Sequence, residues 1–222
     1  MLNFPPSMLI EHTLLNPMTR HDQINALCEE AVEYGFAAVC IPPTYVATAV
    51  EQLHGSEVKV CTVVGFPTGF ESSAAKAFAA HQALLQGADE IDMVVQQGWI
   101  QDGRYADVEA EIRQVKQACG GAVLKVIIEC CNLSAQQKRQ VCTHVVAGGA
   151  DYVKTSTGTA AGGATVDDVE LLRAVVADKL RIKAAGGIRT LEQLEALYRA
   201  GATRIGTSQA VAIVSQWLKN QV

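Results

Sequence analysis

Aromatic residues are scarce in this sequence, since phenylalanine, tyrosine and tryptophan make up only 5% of its 222 residues. No apolar run approaches the roughly 18 residues that a membrane-spanning helix requires. Residues 1–7 carry no positive charge and no apolar centre, so we expect no signal peptide. These absences predict a cytoplasmic protein that does not interact with membranes.

Positive charge is not in excess either. The net charge is -5, and the lysines and arginines form no basic stripe. Nucleic acids and anionic membranes bind mainly to basic surfaces, so we expect neither as a partner. The composition is 49% hydrophobic, and no linker or low-complexity tract interrupts the chain. The sequence therefore predicts a single domain over residues 1–222.

Patterns for metal ligands and disulfide bonds are also missing. The seven cysteines form no Cys-X-X-Cys motif, and the five histidines have no metal-ligand spacing. Most of the cysteines lie inside apolar runs, which favours reduced, buried thiols. The adjacent Cys130 and Cys131 could bind a soft metal, but neighbouring residues of a strand point to opposite faces. We expect no metal and no cofactor.

The chain does contain a regular alternation of short β-rich runs with amphipathic segments. One such segment, residues 22–34, places Ile24, Leu27 and Ala31 on one helical face and is followed by Gly35. The predicted strands are residues 8–11, 37–41, 59–65, 90–95, 123–129, 152–155, 181–184 and 203–207. Strands that alternate with helices pair in parallel, so eight repeats predict an α/β fold, the (β/α)₈ TIM barrel. A doubly wound open sheet is the alternative.

Two lysines lie where predicted strands end. Lys154 and Lys183 each follow an apolar run and precede small residues. A buried lysine is costly unless it is paired or deprotonated. Because a TIM barrel places its chemistry at the carboxyl ends of its strands, we expect the two lysines to meet there. The alternative is that each is a strand-end cation whose charged end reaches solvent. A like charge about 4 Å away costs roughly 4 kcal/mol at an effective dielectric near 20, which favours a neutral amine, the nucleophile of carbonyl chemistry.

Other polar, reactive or glycine residues fall at the same predicted strand ends. They are Glu11, Cys40, Gly65, Asp92, Glu129 and Gly206. Asp92 facing a lysine would transfer protons or form a structural salt bridge. Glu129 would be an acid at the site or the ion-pair partner of Lys125 or Lys154. We expect Lys125 to form a structural ion pair.

Glycines follow the last two predicted strands. Gly186 and Gly187 follow the seventh strand, and Gly206 precedes Ser208 and a predicted helix at residues 209–219. Glycine lets backbone amides approach an anion, and a helix N-terminus has free N–H groups. Phosphate sites recur after strands seven and eight of this fold, so we predict one here. Turn glycines without a ligand are the alternative.

These motifs resemble those of the deoxyribose-phosphate aldolase family, whose class I members form a lysine Schiff base. The resemblance runs almost end to end. It is carried by residues 10–15 (IEHTLL), 65–67 (GFP), 87–94 (GADEIDMV), 124–129 (LKVIIE), 153–158 (VKTSTG), 183–190 (KAAGGIRT) and 201–208 (GATRIGTS).

The resemblance implies reversible cleavage of 2-deoxy-D-ribose 5-phosphate to acetaldehyde and D-glyceraldehyde 3-phosphate, without a metal. It implies Lys154 as the Schiff-base lysine, Lys183 as the neighbour that favours its neutral form, and Asp92 as the proton-relay acid. The implied substrate contacts are Glu11, Thr13, Cys40 and Thr157. The implied phosphate contacts are Gly158, Gly186, Gly187, Gly206 and Ser208. A homodimer or higher homo-oligomer is also expected.

The chain departs from the family pattern around the expected pocket. Glu11 stands where aspartate is usual, Pro42 and Gln96 stand where asparagine is usual, and Thr159 replaces an aromatic or basic residue. Gln209 and Ala210 replace a serine and a glycine. Two alternatives therefore stay open. One is the same aldol chemistry with a different, unphosphorylated acceptor, and the other is a barrel that binds a sugar phosphate without converting it.

Overall fold

The computed structural model describes residues 2–221, and its centre is a closed barrel of eight parallel strands. Each strand pairs with the next along the chain, and the last pairs with the first. This confirms the predicted (β/α)₈ barrel. The strands are β1 (Ile10–Thr13), β2 (Ala38–Ile41), β3 (Lys59–Val64), β4 (Glu90–Val94), β5 (Val123–Ile127), β6 (Tyr152–Lys154), β7 (Arg181–Ala185) and β8 (Arg204–Thr207).

Helices connect the strands and pack on their outward faces, where the main apolar core lies. Those of the described residues are α1 (His21–Tyr34), α2 (Val46–Gln52), α3 (Ser73–Leu85), α4 (Gln97–Gln101), α5 (Tyr105–Cys119), α6 (Ala135–Ala147), α7 (Val166–Val176), α8 (Leu191–Ala200) and α9 (Ala210–Lys219). Within residues 2–221, none of these helices has both the length and the apolar character needed to cross a membrane.

Local sequence signals account for several helix ends. The side chains of Ser72, Thr165 and Thr190 each accept a hydrogen bond from a backbone N–H in the first turn of the following helix, which satisfies a donor that the helix leaves free. Gly35 ends α1 at φ +64°, a left-handed conformation that glycine adopts without penalty. The predicted helix end at Gly35 is therefore confirmed.

Several predicted boundaries shift, most of them by one residue, and three of the shifts have a clear local cause. Strand β1 begins at Ile10 instead of residue 8, because Pro6–Leu9 form a 3₁₀ turn. Strand β5 ends at Ile127, because Glu129 adopts a left-handed conformation that no strand can contain. Helix α9 begins at Ala210, so Gln209 precedes it, and Ser208 is not its N-cap.

The inner face of the barrel is unusually polar. Branched apolar residues normally fill the interior of such barrels. Here the strand register places Asp92 beside Lys125 and Lys154 beside Lys183, and all four side chains are buried. A small cluster of Cys40, Cys61 and Val63 is one apolar part of this interior. The sequence thus folds a set of charges into the centre of the barrel.

Candidate active site

A cavity of about 430 Å³ opens at the carboxyl ends of β1, β6, β7 and β8. Of the residues predicted from the sequence, those that line it are Thr13, Lys154, Thr157, Gly158, Gly186, Gly187, Gly206 and Ser208. Glu11, Cys40, Asp92 and Lys183 do not line it and are completely buried in the barrel interior. The site thus has an open upper part and a buried lower part, which meet at Lys154.

Asp92 connects the two predicted lysines. Its Oδ2 accepts hydrogen bonds from Lys154 Nζ at 2.7 Å and from Lys183 Nζ at 2.6 Å. Its Oδ1 accepts from Lys125 Nζ at 2.9 Å and from Cys61 Sγ at 3.2 Å. The two lysines meet as expected, but a carboxylate lies between them, and this offsets part of the direct repulsion anticipated from the sequence.

Burial and charge act in opposite directions on these groups. Burial alone would raise the pKa of Asp92, yet Lys125, Lys154 and Lys183 hold that pKa well below its ordinary value. Burial alone would lower the pKa of Lys183, yet Asp92 and Glu11 raise it above its ordinary value. At neutral pH, Asp92 is therefore a carboxylate and Lys183 an ammonium.

Glu11 belongs to the buried lower part of the site. Its carboxylate pairs with Lys183, lies 3.3 Å from Lys125 Nζ and 3.9 Å from Arg204 Nε. Burial acts to raise the pKa of Glu11, but Lys125 and Lys183 outweigh it and lower the pKa. The predicted direct contact between Glu11 and substrate stays a prediction, because the side chain lies below the cavity.

Cys40 and Cys61 are in register on β2 and β3 and complete this interior. Their sulfur atoms lie within 4.8 Å of each other and of carboxylate oxygens of Glu11 and Asp92. Four such donors could in principle hold a metal ion. However, Lys125 Nζ already lies 3.3 Å from Cys61 Sγ and 2.9 Å from Asp92, so cations already neutralise the carboxylates. The donor set fits an ion-paired cluster and does not favour a divalent metal.

A buried glutamate holds one wall of the cavity. Glu129 has φ +54° and accepts hydrogen bonds from Thr157 N at 3.2 Å and from Thr157 Oγ1 at 2.5 Å. The same hydroxyl interacts with Thr159 Oγ1 at 2.9 Å and accepts from Thr159 N at 3.1 Å. A hydroxyl has one donor and two acceptor positions, so that of Thr157 is fully used. The predicted acid at position 129 is thus a clamp on the Thr157 loop and pairs with neither Lys125 nor Lys154.

The glycine loops form the other end of the cavity. A Cβ atom on Gly186, at φ +90°, would lie 3.0 Å from Gly163 Cα and 3.2 Å from Gly158 Cα, so only glycine fits there. Within residues 2–221, the backbone N–H groups of Gly187 and Ser208 donate to no protein acceptor. Both residues line the cavity, which makes these groups suitable donors to an anion.

Sequence reasoning missed two sets of residues. Arg189 lines the cavity and is exposed, so it adds a positive charge beside the glycine loops. Its position directly after Gly186-Gly187-Ile188 was the available signal. Below the cavity, Glu90 and Arg204 extend the ion-paired cluster, and Lys125 points inward to join it. Only the strand register brings these residues together.

The fold and the site together define a TIM barrel whose cavity presents a buried lysine amine, backed by a carboxylate and a second lysine. Comparison with known proteins identifies the family. The model of the DeoC/LacD family aldolases matches residues 9–214, and the chain belongs to this family. The resemblance noted in the sequence is therefore confirmed.

Individual relatives agree with this assignment. The chain is 51% identical to a deoxyribose-phosphate aldolase of Streptococcus mutans over 205 residues, which are 92% of this chain and 93% of that protein. The same identity and coverage are found for a deoxyribose-phosphate aldolase of Staphylococcus carnosus. The structure of a tetrameric deoxyribose phosphate aldolase from Aeropyrum pernix superposes with a TM-score of 0.87 at 31% identity, covering 98% of this chain and 92% of that one.

Proposed function

We propose that this protein cleaves 2-deoxy-D-ribose 5-phosphate reversibly to acetaldehyde and D-glyceraldehyde 3-phosphate through an imine on Lys154. The observation that carries the proposal is the contact of Lys154 Nζ with Asp92 Oδ2, which also binds Lys183 Nζ, at the base of an open cavity. The names of the curated relatives support the choice of substrate.

In the proposed mechanism, the neutral amine of Lys154 adds to the aldehyde carbon of the open-chain sugar. Loss of water from the adduct gives an iminium ion. A base then removes the proton from the C3 hydroxyl, the C2–C3 bond breaks, and its electrons move toward the iminium nitrogen. D-glyceraldehyde 3-phosphate leaves, and an enamine remains on Lys154. Protonation of the enamine carbon and addition of water release acetaldehyde and the free amine.

Asp92 and Lys183 are placed to move the protons of this sequence. Asp92 is within hydrogen-bond distance of both lysines, and its carboxylate form can accept a proton. The ammonium of Lys183 can donate one and then recover it through Asp92. Because Lys183 does not line the cavity, we propose that a water molecule carries the proton between this pair and the substrate carbon.

We propose that the phosphate group lies at the glycine loops. The free N–H groups of Gly187 and Ser208 and the charge of Arg189 would hold it. Gln209 contributes less, because its N–H already donates to Thr207 Oγ1 at 2.9 Å. This anchoring would place the aldehyde end of the sugar at Lys154.

The direct test treats the protein with acetaldehyde and cyanoborohydride and locates the modified residue by peptide mass spectrometry. We expect one ethyl group on Lys154. Kinetics with 2-deoxyribose, with and without the 5-phosphate, then define the substrate. Absence of an adduct at every pH would contradict the imine and favour the barrel that binds without converting. Equal kcat/KM for both sugars would favour the unphosphorylated acceptor.

Gln209 and Ala210 are expected to weaken phosphate recognition relative to the serine and glycine usual in the family. A lost hydrogen bond to a charged group costs roughly 1.5–3 kcal/mol, or about a 10-fold to 150-fold change. Replacing both (Gln209→Ser with Ala210→Gly) is expected to increase the ratio of kcat/KM for the phosphorylated sugar over the unphosphorylated one. Gln52→Ser, at an exposed position of α2, is the matched control. An unchanged ratio in the double variant would show that the phosphate site is already complete.

Removal of the clamp on the Thr157 loop is expected to impair substrate binding more than imine formation. Glu129→Ala leaves the Thr157 N–H and hydroxyl without their acceptor, and should raise KM for the phosphorylated sugar by about tenfold or more. Glu129→Gln keeps one acceptor oxygen and should have a smaller effect. The measurement is KM beside the rate of trapping by acetaldehyde and cyanoborohydride. If KM rises and the trapping rate falls by the same factor, the substitution has damaged the site in general.

A further inference from the structure

Three charged residues of the barrel interior have no part in the mechanism above: Glu90 and Lys125 are buried, and Arg204 is half-buried. Lys125 Nζ lies 2.6 Å from Glu90 Oε2, and Arg204 Nη2 lies 3.5 Å from Glu90 Oε1. None of the three lines the cavity. Placing charges in a barrel interior is costly, and apolar residues of similar volume would be at least as stabilising. A role in the chemistry would account for their presence.

These residues connect to Lys154 through a continuous series of contacts. Arg204 binds Glu90, and Glu90 binds Lys125. Lys125 holds Asp92 Oδ1 at 2.9 Å, which leaves Asp92 Oδ2 facing Lys154 and Lys183. The series therefore runs through the barrel interior from its lower end to the floor of the cavity.

The charges of this cluster balance only when Lys154 is neutral. It contains three carboxylates and three cations besides Lys154, and they are Glu11, Glu90, Asp92, Lys125, Lys183 and Arg204. A proton on Lys154 would add an uncompensated charge in a buried place, which is unfavourable. Among the described residues, Lys154 pairs with Asp92 alone, and it shares that carboxylate with Lys125 and Lys183.

Two further kinds of group face Lys154. The cysteines of β2 and β3 are counted as thiols, and Cys61 donates to Asp92 Oδ1. A thiolate at Cys40 would make the total charge of the cluster more negative by one. Removing a carboxylate would still favour the neutral amine of Lys154, and removing a cation would still disfavour it. Across the cavity, Arg189 is exposed and therefore screened by solvent.

We propose that Glu90, Lys125 and Arg204 are positioning residues whose fixed charges, together with those of Asp92, Glu11 and Lys183, set the fraction of Lys154 that is a neutral amine. This inference rests on the proposed imine chemistry of Lys154. It assigns the activation of the nucleophile to the total charge of the barrel interior, so that Lys183 is only one of several contributors.

The test is the pH dependence of trapping by acetaldehyde and cyanoborohydride, because the rate rises as Lys154 loses its proton. Glu90→Gln removes a negative charge, which favours the neutral amine. It should therefore move the midpoint of the curve of trapping rate against pH to a lower pH. Arg204→Gln removes a positive charge and should move it to higher pH. Each shift is expected to be roughly one pH unit at an effective dielectric near 20. Structural damage alone is not expected to shift the midpoint in opposite directions in the two variants.

The double variant, Glu90→Gln with Arg204→Gln, is the decisive control. It deletes one charge of each sign, so the midpoint should return to that of the parent. Glu111→Gln provides a second control, since Glu111 and Lys76 form a fully buried ion pair at 2.8 Å outside the barrel. Loss of the Glu111 charge should leave the midpoint unchanged.

The proposal is overturned if both single variants shift in the same direction, or if the double variant is displaced as far as either one. Arg204 retains 15% exposure of its side chain, so Arg204→Gln provides a result even where Glu90→Gln does not fold. The proposal is also overturned if the midpoint of Arg204→Gln does not lie at a higher pH than that of the parent. These outcomes differ from failure of the proposed function, in which the parent itself forms no adduct.

Discussion

Lys154→Met is expected to abolish sugar cleavage, with a loss of at least about 10³-fold in kcat, and to leave the fold intact. Methionine fills a similar space but has no amine, so neither the imine nor the enamine can form. The side chain is nearly buried, and Asp92 keeps its contacts with Lys125 and Lys183 after the substitution. The measurement is turnover of 2-deoxyribose 5-phosphate beside a thermal unfolding curve.

The control for this variant is Lys59→Met, which removes an exposed lysine at the start of β3. It should keep normal turnover. Activity of Lys154→Met within tenfold of the parent would show that the nucleophile is another group. Trapping with acetaldehyde and cyanoborohydride would then reveal the modified residue.

Lys183→Leu is expected to reduce turnover at pH 7 by at least about 10²-fold, with partial recovery at higher pH. Without Lys183, Asp92 pairs with Lys154 and Lys125 alone, and the interior loses one positive charge. Both changes favour a proton on Lys154, which must leave before the amine can attack. As the pH rises, solvent removes that proton and imine formation recovers.

The pH profile separates two roles of Lys183. If it acts only by charge, trapping of the imine recovers fully at high pH. If it also donates a proton to the enamine carbon, trapping recovers while turnover stays low. A loss that is equal at every pH in both assays would contradict the charge effect and leave direct proton transfer as its role.

Local sequence was sufficient for the architecture of this protein. The alternation of β-rich runs with amphipathic helices predicts parallel strands, because a helix returns the chain to the same edge of the sheet. The helix end at Gly35 could be predicted from the sequence, because such a cap depends on backbone groups only a few residues away. Lys154, with its motif VKTSTG, could likewise be singled out at the end of its strand.

Boundaries that depend on distant contacts were not predictable in this way. The strand predicted to reach residue 129 ends at Ile127, because Glu129 turns to bind Thr157, 28 residues along the chain. The role of Glu129 was left open between an acid and an ion pair. Its hydrogen bonds to Thr157 depend on the packing of two loops, which sequence periodicity does not encode.

The sequence by itself determined the barrel, the two lysines at the ends of its strands, and the glycine loops after β7 and β8. Only the tertiary structure decided how the charges combine. Asp92 lies between Lys154 and Lys183, and Glu11 reaches into the interior below the cavity. Lys125, which by sequence alone could face either way, points inward. The physical reason is that strand alternation sets which residues share a face, whereas barrel closure and register set which of them meet.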